Sequence, residues 1–100
     1  MRYEAYIRRL IDRVFKLLPM REQVDQGVNL FLDTYIADLA DETTGAYVTF
    51  PELFETPDFV SAVNSLNYLR YHWEEMPFST YRSVVLKMTN NIAGIVKEVQ

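Results

Sequence analysis

Apolar residues recur along this chain at intervals of three and four, the spacing that gathers side chains on one face of an α-helix. Tyr3, Ile7, Leu10, Ile11, Val14, Phe15 and Leu18 make a first such face. Glu4–Arg8 and Asp12–Lys16 place an acid four residues before a base, the favourable order on a helix. Pro19 predicts the end of this helix or the start of the turn after it, because proline cannot donate to the helical ladder. Glu22 and Asp25 then put negative charge near a second helix start, where the helix dipole favours it. Val24, Val28, Phe31, Leu32, Tyr35 and Leu39 predict the apolar face of that second helix.

The pattern breaks over residues 41–56. Thr43-Thr44-Gly45 has the chemistry of a turn, and Tyr47-Val48-Thr49-Phe50 has the composition of a strand. A single strand lacks a mate in a helical chain unless a second copy supplies one across residues 46–50. The expectation is therefore a long, partly ordered connection that tucks Tyr47, Phe50, Leu53 and Phe54 under the helices, with a turn of helix at Pro51 to Phe54.

Thr56-Pro57-Asp58 reads as a helix start: a capping hydroxyl, proline at the first helical position and an acid in the first turn. The third helix runs to about Met76, with Phe59, Ala62, Val63, Leu66, Leu69 and Trp73 inward, and Pro77 marks its end. Ser79 is placed to cap a fourth helix whose face is Tyr81, Val84, Val85, Met88, Ile92, Ile95, Val96 and Val99. The reading is an all-α antiparallel four-helix bundle, a single domain over residues 1–100, with the long connection between helices 2 and 3.

Composition narrows the function. At 100 residues and 49% hydrophobic, the chain has room for one ordinary domain and enough apolar content to fold it. The absence of cysteine excludes disulfides, thiolate metal sites and thiol nucleophiles, and fits a reducing, cytoplasmic setting. The charged first residues argue against a secretory signal. The longest uncharged stretch, between Asp58 and Arg70, is too short and polar to span a bilayer.

The net charge of −4 conceals two regions of opposite sign. Residues 1–21 carry six cations against two anions, and residues 22–100 carry four against twelve. On a helix, Arg2, Arg9, Arg13 and Lys16 fall within an arc of about 60° opposite the apolar face. That basic stripe would suit an acidic protein partner, or the phosphates of a nucleic acid; alternatively it is a solvated face paired with the chain's own acids. Nucleic acid is disfavoured because the remainder of the chain is acidic and carries no binding motif.

The third helix lacks charge between Phe59 and Trp73 except for Arg70. Asn64, Asn67, Tyr68 and Tyr71, with Val60, Ser61 and His72 nearby, have the uncharged and aromatic composition of covered positions. Either this helix is sandwiched within the bundle, or it meets another chain. The fourth helix shows Leu86, Asn90 and Gly94 on its outer side, and an interior glycine costs about 1 kcal/mol unless a neighbour comes close. Together these faces predict a homo-oligomer formed through helices 3 and 4. Trp73, Phe78 and Tyr81 read as a helix corner.

No constellation names a reaction. His72 is the sole histidine, and with Glu75 it offers two groups at i, i+3, short of a metal site. No serine sits in a nucleophile-elbow setting, and the three glycines are too scattered for a phosphate loop. The sequence therefore predicts no catalytic residue, no cofactor and no metal. It predicts a small helical interaction module: an adaptor, immunity-like or accessory protein. The alternatives are a regulator contacting nucleic acid through the first helix and a small-molecule or metal site near His72 and Trp73.

Overall fold

The computed structural model describes residues 4–50 and 55–98, with side-chain surroundings up to residue 95. These residues are all-helical: α1 (Glu4–Phe15), α2 (Leu17–Asp25), α3 (Leu32–Thr49), α4 (Pro57–His72), a 3-10 turn at Trp73–Glu75 and α5 (Phe78–Glu98). Strands are absent among the described residues. Tyr3, the predicted helical turn at Pro51 to Phe54, and Val99 lie outside them, as do the side chains of Val96 and the residues after it.

Pro19 acts differently from its expected role as a terminator. It lies inside the first turn of α2, and the break falls earlier, at Lys16. The cause is steric and electronic: Pro19 has no N–H for the Phe15 carbonyl, and its ring crowds that carbonyl. The ladder otherwise continues, with Lys16 N–H bonding Asp12 O at 3.1 Å and Met20 N–H bonding Lys16 O at 3.2 Å. Thus α1 and α2 are two limbs of one kinked helix. The kink rotates the buried face so that Leu17 is fully buried, Leu18 is half-buried and Phe15 is half exposed.

The second predicted helix is divided. Gly27, at φ +93°, ends α2 in a Schellman turn: its N–H bonds Val24 O and the Val28 N–H bonds Gln23 O, each at 2.9 Å. Val28 and Phe31 are therefore exposed rather than inward. Phe31 itself stands in the left-handed region at φ 51° and leads into α3.

The predicted long connection is shorter than expected, because α3 continues through residues 41–49. The turn-like Thr43-Thr44-Gly45 and strand-like Tyr47-Val48-Thr49 are helical, so a strand over residues 46–50 is ruled out at 46–49. Burial overrides local preference here: Leu32, Ile36, Leu39, Ala40 and Thr43 extend one inward face. Buried Thr43 donates its hydroxyl to the carbonyls of Leu39 and Ala40, at 2.8 and 3.2 Å, so it leaves no polar group unmatched.

The start of α4 is as read, with Thr56 Oγ1 accepting from Phe59 N–H at 3.3 Å and Pro57 at the first position. Ser79 falls inside the first turn of α5, which begins at Phe78. Helix α4 packs against both α3 and α5, α1 lies along α5, and α2 touches α3 and α5. The 21 residues of α5 make a helix about 31 Å long. The core between the helices includes Ile7, Leu10, Leu39, Phe59, Leu66, Leu69, Tyr81, Met88 and Ile92.

Two buried polar side chains fasten the kinked helix to the start of α5. Tyr81 is fully buried and donates its hydroxyl to Leu17 O at 2.8 Å; burial pushes its ionisation far above the ordinary range. Arg21, on α2, is also buried. Its guanidinium donates to Trp73 O at 2.9 Å and Met76 O at 2.6 Å, and pairs with Asp25 at 3.0 Å. It also sits 5.0 Å from the centre of the Tyr81 ring. In the sequence Arg21 is one of the six cations of residues 1–21; in the fold it is a tie across the helix corner.

Candidate interaction surface

Helix α4 presents its side chains in four directions, and the core and its neighbours account for three of them. The inward face carries Phe59, Ala62, Val63, Leu66 and Leu69 into the core. Toward α3, Asn67 Nδ2 donates to Thr44 Oγ1 at 3.3 Å and to Val63 O at 3.0 Å, and Arg70 pairs with Asp41 at 2.6 Å. Toward α5, Ser61 Oγ accepts from Asn91 Nδ2 at 3.3 Å. A Cβ on Gly94 would come 3.2 Å from Asp58 Oδ2, so α4 closes over that glycine too. Helix α4 is thus flanked on two sides within the fold, and one face stays open.

That open face bears Pro57, Val60, Asn64, Tyr68 and Tyr71 at helical spacing. A groove of about 610 Å³ runs along it, lined by Glu55, Pro57, Val60, Ser61, Asn64, Ser65, Tyr68 and, from α5, Val84. Among the described residues, Glu55 at one end is its sole charged wall. Tyr68 and Tyr71 remain 54% and 70% exposed, large for aromatic rings on a helix of this size. Tyr68 lies against the His72 ring at 4.4 Å between centroids, and Arg70 stands 5.6 Å from the centre of the Tyr71 ring.

Of the residues expected to mediate self-association, the structure brings Asn64 and Tyr68 together in the groove and keeps Tyr71 exposed beyond it. Asn67 is turned to α3 instead. Leu86, Asn90 and Gly94 do not line the groove; Gly94 meets α4 within the same chain. Glu55, Pro57, Ser65 and Val84 were missed as walls. Pro57 and Ser65 were legible as further uncharged positions on α4, whereas Val84 is assigned by how α5 lies beside it.

The basic stripe is thinner than its sequence. Arg2 lies outside the described residues. Arg13 is held by Glu42 of α3 at 2.6 Å, where Tyr6 also reaches the same carboxylate at 3.5 Å. Burial first, and then Glu42, push the Tyr6 hydroxyl up to about 12. Tyr35 donates to Arg13 O at 2.7 Å, joining α3 to α1 through the backbone as well. Arg9 and Lys16 are exposed, with no ion pair to either among the described residues. The expected Asp12–Lys16 pair is not formed, whereas Arg8 and Glu4 do pair at 2.6 Å.

His72 Nδ1 lies 3.6 Å from Glu75 Oε2, with both side chains open to solvent. Among the described residues no three His, Cys, Asp or Glu side chains converge as metal ligands. No described helix is long and apolar enough to cross a membrane. No protein family, characterised protein or solved structure compared with this chain matches it.

Proposed function

We propose that this chain is a non-catalytic helical interaction module that works inside the cytoplasm and self-associates through the open face of α4. The observation that carries the reading is the groove beside Val60, Asn64 and Tyr68, where exposed aromatic and amide side chains replace the charges that usually solvate an outer helix face. The supporting scaffold is read as an antiparallel bundle. Contacts such as Tyr6 with Glu42, Tyr35 with Arg13, Arg70 with Asp41 and Tyr81 with Leu17 fit that arrangement.

Sedimentation equilibrium from tens to hundreds of micromolar tests self-association. The average mass is expected to rise from 11.8 kDa toward twice that value. Val60→Glu with Tyr68→Glu should hold it at the lower value while leaving the helical circular dichroism intact. A wild-type mass fixed at 11.8 kDa across that range rejects the reading.

The outer side of α1 is proposed as a second surface, for an acidic protein, now resting on Arg9 and Lys16 with Arg13 shared with Glu42. Capture of Glu42 by Arg13 weakens the alternative of nucleic-acid binding, because a phosphate would have to displace an existing carboxylate.

A further inference from the structure

The open stripe on α4 has an internal symmetry. Pro57, Val60, Asn64, Tyr68 and Tyr71 are spaced 3, 4, 4 and 3, a pattern that reads the same from either end with Asn64 at its centre. Resting on the self-association reading, we infer that two copies pair α4 against α4 in antiparallel fashion, with the dyad passing beside Asn64. In that register each Val60 lies under the second copy's Tyr68, and each Pro57 under its Tyr71. The two short residues at one end thus receive the two large rings from the other, in both directions at once.

Two physical features select a second copy as the occupant. The stripe contains no formal charge, so laying it on itself brings no like charges together. Antiparallel pairing also opposes the two helix dipoles. The charged side chains of α4 stand off the seam, Asp58 beside Gly94 of α5 and Arg70 on Asp41 of α3.

The central asparagine sets the register. An amide has both a donor and an acceptor, so two Asn64 side chains related by a dyad can satisfy each other reciprocally. A slip by one turn would separate them and leave both covered and unpaired, the means by which a lone polar residue in a helix seam specifies alignment. Spacings of 3, 4, 4 and 3 average 3.5 residues, the period of a shallow left-handed crossing, with axes about 8–10 Å apart. From Pro57 to Tyr71 the seam is about 21 Å long and one helix wide, so the contact is small and the dimer weak and concentration-dependent.

The chain has no cysteine, which makes single-cysteine variants clean reporters. Asn64→Cys, treated with a mild thiol oxidant at hundreds of micromolar, is expected to cross-link to itself as a covalent dimer. Val60→Cys and Tyr68→Cys should each cross-link poorly alone, since the same residue in the two copies is offset by about 12 Å, but readily when mixed. Asn90→Cys, exposed on α5, reports random collision. Circular dichroism confirms that each variant is folded. A concentration-dependent mass with the mixed Val60→Cys and Tyr68→Cys pair, which keeps Asn64, cross-linking no better than Asn90→Cys overturns this register and leaves self-association standing. A fixed monomeric mass overturns both.

Discussion

Replacing Arg21 by methionine removes a charge from the interior while keeping most of the unbranched stem, and so isolates what its guanidinium does. In the native chain that group supplies donors to Trp73 O and Met76 O. Trp73 O keeps a second donor, the Met76 N–H at 3.4 Å, so Met76 O is the acceptor left bare. A buried carbonyl without a donor costs about 1–3 kcal/mol, and the loss at Trp73 O and at the Tyr81 ring adds about 1 kcal/mol more. The expected destabilisation is roughly 3 kcal/mol, a large part of the ~5–15 kcal/mol that holds a domain of this size. Urea titration followed by far-ultraviolet circular dichroism should show a lower midpoint at unchanged slope. The melting temperature should fall by roughly 12–24 °C.

Asp25 provides the contrast that makes this prediction sharp. It is 47% exposed, so in Asp25→Asn water and the new amide oxygen can take the carboxylate's place against Arg21, and the cost should be only about 1 kcal/mol. If Arg21→Met costs less than about 1 kcal/mol, the carbonyl argument fails. If Asp25→Asn costs as much as Arg21→Met, the ion pair rather than the backbone tie holds the corner.

Thr56→Ala removes the hydroxyl that accepts from Phe59 N–H and should lower unfolding stability by about 1 kcal/mol, read from the same urea titration. Gly94→Ala should stabilise α5 by up to about 1 kcal/mol, because the crowded atom is the mobile end of Asp58; a net loss would show that Asp58 is held in place. The folded chain holds the protons of Tyr6, Tyr35 and Tyr81 more tightly than an unfolded chain, whose tyrosines titrate near 10. Their contribution is complete below that pH and is lost as pH rises through the folded values, about 12 for Tyr6. Thermal melts at increasing alkaline pH should therefore show falling stability, with a shallower fall in Tyr6→Phe.

Much of the helical framework was legible in the order of residues. The inward faces of α1, α4 and α5 follow from spacing alone, and Thr56-Pro57-Asp58 announces a helix start through local chemistry. Errors arose where two local signals compete. Gly27 and Pro19 both interrupt helices, but a proline's clash is felt four residues upstream, so the break appears at Lys16. Thr43 to Thr49 have weak helical preference, and only the core that receives Leu39, Ala40 and Thr43 carries the helix through them.

The interaction surface divides in the same way. Sequence by itself determined that α4 lacks charge outside Asp58 and Arg70, that its stripe is symmetric about Asn64, and that the first 21 residues are basic. Those are properties of spacing along one helix, which every residue carries with it. Tertiary structure decided which of these groups are free: Asn67 is spent on α3, Gly94 on Asp58, Arg13 on Glu42 and Arg21 on the carbonyls of the helix corner. A helical pattern gives the direction of a side chain relative to its own axis. What waits there, whether solvent, a carboxylate or a carbonyl, depends on helices tens of residues away in the chain.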